Sequence, residues 1–189
     1  MTEWLLDISK RYFNKARVIS ISRGMLYILF IPVLLVLFAL LGARYSDSTS
    51  IFGQVFQLIY DLGLAFLCLA LMRVVYENGY KMPVIGYYVV VTVIKGVFLF
   101  FITSIGTEQG ELYTLIFVLS FVLHIIVGVQ LLKTKFVKIG KAFLYYVGGI
   151  IITAVLSTSE MKGLDSIVLI LTCGILAYTF YKELPMYYD

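Results

Sequence analysis

The chain has 189 residues, of which 61% are apolar and only 14% charged, with a formal net charge of +4 and a mean hydropathy of +0.99. A soluble domain draws roughly 25% of its residues from the charged set and shows water a largely polar exterior, so this composition excludes a soluble fold and makes lipid the solvent. Almost every residue falls in or beside an apolar run, which leaves no room for a separate soluble domain, and a single membrane domain over 1–189 is expected.

The first 23 residues are polar and basic. The apolar run that begins at Gly24 reaches membrane length without a small-residue cleavage site, so no removable signal peptide is expected. Residues 3–19 have helical periodicity. Leu5, Ile8, Tyr12, Ala16 and Ile19 form one stripe, with Leu6 and Phe13 flanking it, while Glu3, Asp7, Lys10, Asn14 and Arg17 fall opposite. Trp4, the single tryptophan, lies near one edge of the stripe. The pattern predicts an amphipathic interfacial helix in the cytoplasmic headgroup layer, its cations near anionic lipid; a docking helix for a cytoplasmic partner is the alternative.

A hydrocarbon core roughly 30 Å thick needs about 20 apolar residues at about 1.5 Å per residue. Runs of that kind lie near 24–43, 51–73, 83–104 and 111–132, with shorter or more mixed ones near 139–157 and 165–182. Pro32 should kink the first, Asn78-Gly79 should turn the chain between the second and third, and Pro83 suits the first turn of the third. Lys138 and Lys141 must lie at the start of the fifth, from where they can snorkel to the headgroups. The expected fold class is therefore all-α: a polytopic bundle of about six transmembrane helices in three consecutive hairpins. Five spans with a re-entrant segment is the variant.

Orientation follows from the cations. Lys10, Arg11, Lys15, Arg17, Arg23, Arg73, Lys81, Lys133, Lys135, Lys138, Lys141 and Lys182 fall on one side of such a bundle, and only Arg44 and Lys162 on the other. Twelve against two places both ends in the cytoplasm of a multi-pass cell-membrane protein. The outer turns (46–49, 106–108 and 157–160) are alike only in being polar, as any outer turn would be.

The residues that do not belong in lipid carry the functional reading. Asp61, Lys95 and His124 lie ten, nine and thirteen residues in from the outer ends of the second, third and fourth runs, or about 15, 14 and 20 Å deep. A charge at that depth costs at least about 2.5–3.5 kcal/mol, so such groups face the bundle interior and pair. Asp61 and Lys95, on adjacent antiparallel helices, are the expected pair. Each belongs to a stripe: Gln54, Gln57, Asp61, Ala65 and Cys68; Tyr88, Thr92, Lys95, Leu99 and Thr103; Ser120, His124 and Gly128, with Thr114 nearer the outer end. Three such stripes meeting at one depth predict a shared internal seam.

Catalytic signatures are missing. HExxH, GxSxG, a P-loop and CxxC do not occur. One histidine and two isolated cysteines, Cys68 and Cys173, make neither a metal site nor a disulfide framework, and no cofactor or catalytic residue is expected. Nucleic-acid binding is not expected either. The seam predicts a transport or channel component, a small permease-type subunit whose path runs along Asp61, Lys95 and His124 with Gln57, Thr92 and Ser120. Its small size implies self-association or assembly with other membrane or cytoplasmic subunits. The alternative is a non-catalytic membrane partner, serving assembly, regulation or immunity, whose buried charges are structural.

Overall fold

A computed structural model describes residues 2–40, 48–105, 110–157 and 164–188. These are almost wholly helical: α1 (Thr2–Tyr12), α2 (Lys15–Leu40), α3 (Ser48–Glu77), α4 (Pro83–Ile105), α5 (Gly110–Leu132), α6 (Val137–Ser157) and α7 (Leu164–Glu183), followed by a 3₁₀ turn over Leu184–Tyr187. Four helices contain stretches long and apolar enough to cross a membrane, at 57–77 in α3, 114–132 in α5, 137–156 in α6 and 167–187 across α7 and the 3₁₀ turn. They mark the chain as a membrane protein. A shorter apolar stretch lies in α4, at 83–98. The outer turns expected at 46–49, 106–108 and 157–160 fall largely outside the described residues.

The amphipathic stretch over 3–19 is not one helix. It breaks at Phe13-Asn14, because Asn14 caps a new helix: its Oδ1 accepts the backbone N–H of Arg17 at 2.9 Å. The carbonyls left open at the end of α1 are taken by arginines. Arg17 Nη1 donates to the Tyr12 carbonyl at 2.7 Å, and Arg73, from α3, donates to that of Phe13. The break rephases the buried face. Tyr12 and Ala16, expected on the inner stripe, are exposed, and Val18, Ser22, Met25 and Leu29 point inward from α2 instead. α2 therefore starts nine residues before its apolar run and continues through Pro32 to Leu40.

α1 packs on α3 and on the start of α4, with Leu5, Leu6 and Ser9 buried. Ser9 Oγ donates to the Leu69 carbonyl at 2.8 Å. α3 can reach out to α1 because its 30 residues span about 45 Å, more than a hydrocarbon core is thick. From α2 to α7 each helix packs on its neighbour in sequence, and α7 returns to α2, so the six make a closed circuit. Glycines set the close approaches. A Cβ at Gly96 would lie 3.0 Å from Asp61 Cβ, one at Gly140 would lie 2.9 Å from the Gly128 carbonyl oxygen, and one at Gly149 would overlap Thr172. Between α3 and α4 the Asn78-Gly79 turn forms as expected: Gly79 takes φ +80°, and Asn78 Nδ2 caps the Val74 carbonyl at 2.7 Å.

At the end of the bundle that holds α1, ion pairs and rings gather. Lys138 Nζ lies 3.0 Å from the buried Glu183 carboxylate, joining α6 to α7. Tyr188, just past the 3₁₀ turn, is buried; it donates to the Ala70 carbonyl at 2.9 Å and lies under the Arg73 guanidinium. Arg73 also pairs with Glu77 at 2.7 Å. One arginine thus ties α1, α3 and the C-terminal segment together.

Candidate functional site

The interior of the circuit is lined with polar side chains at the positions that the three stripes predict. Their helical spacing puts Tyr60, Asp61, Ala65 and Cys68 of α3, Tyr88, Thr92 and Lys95 of α4, and Ser120 and His124 of α5 on inward faces, where all are buried. Gln57, one turn from Asp61, is half-buried. The stripes do not merge into one cluster. They form two pairs that meet at a small cavity.

In the first pair, Lys95 Nζ lies 2.9 Å from Asp61 Oδ1. Asp61 is wholly buried and Lys95 is 8% exposed. Gly96, the residue after Lys95, allows this contact, since any side chain there would press on Asp61 Cβ. Gln57 is the other polar side chain beside the carboxylate. The two opposite charges neutralise each other, so neither stands isolated in a low-dielectric interior.

In the second, Tyr88 Oη and His124 Nδ1 are 2.7 Å apart. Either the phenol donates to Nδ1, which puts the ring proton on Nε2, or the ring donates to the phenol oxygen. In both cases Nε2 is left without a hydrogen-bond partner among the described residues. The imidazole is held by aromatic rings on the remaining sides. Tyr146 of α6 stacks on it at 4.6 Å and 22°, and Phe143 lies 4.4 Å away. Phe143 in turn meets Phe180 of α7 edge-on at 5.9 Å.

Lys95, His124, Ser120, Tyr88 and Tyr146 line one cavity of about 10 Å³ between α4, α5 and α6, together with Phe117, Phe121 and Ile150. That is room for about one water molecule. The arrangement can hold a water beside Lys95 and His124. It has no room for a solute.

Tyrosines are abundant here, and their depth alone does not distinguish functional ones. The structure separates them. Tyr88, on the Thr92/Lys95 stripe, becomes the histidine's partner, and neighbouring Tyr87 is exposed. Tyr146 carries no comparable signal, because its stacking depends on how α6 crosses α5. Cys68 and Cys173 are free buried thiols. Among the described residues no three His, Cys, Asp or Glu side chains gather as a metal site would require. Neither a family model nor a curated protein nor a solved structure matches the chain.

Proposed function

We propose that the chain is a non-catalytic subunit of the cell membrane, a six-span bundle in three hairpins with both ends cytoplasmic, whose buried charges hold its helices in register. The observation that carries this reading is the cavity at the seam. At about 10 Å³ it accommodates one water, and the neighbouring carboxylate and ammonium are already committed to each other. A solute path along the seam would need a wider polar lumen, and a catalytic site there would need a substrate pocket in the range of about 300 Å³ or more. The span count is supported by the lengths of α2 and α4, 26 and 23 residues, each enough for a bilayer at about 1.5 Å per residue. The orientation is supported by the gathering of cations at the α1 end. As a subunit, it would assemble with copies of itself or with other membrane or cytoplasmic chains.

A second reading, a transport or channel component, is favoured by one observation: His124 presents an unpartnered Nε2 within a cavity shared with Lys95. Buried ionisable chains of this kind form proton relays in membranes. Proteoliposomes loaded with a pH-sensitive dye separate the two readings. An imposed pH gradient should decay no faster with the purified protein than in empty vesicles, and Asp61→Asn should leave that decay rate unchanged. Faster decay that Asp61→Asn or His124→Phe abolishes would replace the subunit reading with the relay.

A further inference from the structure

At the basic end of the bundle, α1 does not seal against the α3–α4 junction. A groove of about 300 Å³ remains between them, large enough for a small-molecule headgroup. Its floor is apolar and buried, made by Leu6, Met72, Val75 and Met82. Its rim is polar, with Lys81, Glu3 and the phenols of Tyr76 and Tyr80. Gly86 holds α1 close at one edge of this junction, where an added Cβ would lie 3.3 Å from Thr2 Cγ2 and 3.5 Å from Met72 sulfur.

Charge complementarity identifies the occupant. Most acids at this end are committed: Asp7 to Arg11 at 2.9 Å, Glu77 to Arg73 at 2.7 Å and Glu183 to Lys138 at 3.0 Å. Lys81 on the rim and Lys10, 5.8 Å above the Tyr76 ring, have no ion-pair partner among the described residues. Glu3 and Lys81 balance on the rim itself, and Lys10, over the Tyr76 ring beside it, tips the surroundings of the apolar floor to net positive. Exposed Tyr76 on the rim, with exposed Trp4 and Tyr12 elsewhere on α1, are the side chains of a membrane–water interface. We propose that the groove binds the headgroup of an anionic phospholipid, its phosphate between Lys81 and Lys10 and its glycerol and upper acyl carbons on the methionine floor. The orientation proposed above enters only in assigning the lipid to the cytoplasmic leaflet.

Native mass spectrometry of the detergent-purified chain tests this independently of orientation. The probes are dioleoylphosphatidylglycerol, dioleoylphosphatidylcholine and inorganic phosphate. Phosphatidylglycerol should be retained several-fold more strongly than phosphatidylcholine, and phosphate alone should not bind. Lys81→Gln should weaken phosphatidylglycerol about fivefold, the effect of one interfacial cation, and Lys135→Gln, outside the groove, should leave it unchanged. Met72→Trp, which fills the floor, should abolish retention. Lys81 is exposed, so its variant keeps the test decisive even if the Met72 variant fails to fold. Equal retention of the two lipids, equal loss in the Lys81 and Lys135 variants, or binding of free phosphate would overturn the proposal.

Discussion

Replacing Asp61 by Asn and Lys95 by Met, singly and together, measures what the buried pair does. The ions are 2.9 Å apart, Asp61 is wholly enclosed, and no other ion pair among the described residues reaches either of them. Neutralising one partner leaves the other ion unpaired in the interior, at a cost of about 3–5 kcal/mol. The cost of an isolated charge at the middle of a bilayer, at least about 2.5–3.5 kcal/mol, gives a similar figure. Both replacements are close in volume to the native side chains, so little of the loss comes from packing. The double variant removes both ions and leaves an amide beside Gln57 and a thioether in place of the ammonium, which should cost no more than about 1–2 kcal/mol. The coupling between the sites is then about 4 kcal/mol or more, far outside the ~0.5 kcal/mol within which independent sites add. Reversible unfolding of the four proteins by sodium dodecyl sulfate in mixed micelles, followed by circular dichroism, gives the four free energies. If the double variant is as unstable as the two single losses combined, the pair is not a staple.

Three further outcomes follow from single contacts. Tyr88→Phe removes the only hydrogen-bond partner that the described residues offer His124, and should cost about 1–3 kcal/mol in the same unfolding assay; His124→Phe in that background should recover part of it. Gly149→Ala puts a Cβ within 2.0 Å of Thr172 Oγ1, which forces α6 and α7 apart and should cost about 1–3 kcal/mol; Thr172→Ala should partly relieve it. Burial raises the Tyr188 phenol above its ordinary value near 10, against the opposing effect of Arg73. A raised folded value means that docking of the C-terminal segment contributes fully below about pH 10 and is lost as pH rises through the higher folded value. Tyrosinate absorbance during alkaline titration should show one late-titrating phenol fewer in Tyr188→Phe than in the unaltered protein, and no difference in the late phase would contradict the burial of that group.

The Asp61–Lys95 contact was legible from the chain because two quantities fixed it: equal depth by counting residues, and adjacency imposed by the short Asn78-Gly79 connection. His124 was legible as a buried group but not as the partner of Tyr88, because pairing across α4 and α5 depends on helix rotation that periodicity leaves free by a residue or so. The division at Asn14 was hidden for another reason. Hydrophobic periodicity runs smoothly through 3–19, and what breaks it is a single side-chain oxygen that competes for a backbone N–H. Arg73 could be seen to match Glu77 four residues on. Its hold on Phe13 and Tyr188 could not, since both lie far away in sequence. The seam's width was likewise out of reach of the sequence, for a row of small and polar residues is compatible with either a wet channel or a tight interface. In the fold Tyr146 and Phe143 pack against the imidazole, and a cavity of about 10 Å³ remains beside it.

The last turns of α3 also impose an order on biogenesis. α1 is synthesised before α3, yet its tethers, the Leu69 carbonyl and the Arg73 guanidinium, come sixty residues later in the chain. Tyr188, which closes on Ala70 of the same turn, is made 118 residues after it. A nascent chain therefore carries α1 undocked until α3 has been made, and the region around Leu69–Arg73 stays half-covered until translation has passed Tyr188. A membrane protease or chaperone that surveys unfinished chains would find its window there, at a segment most of which the completed fold buries.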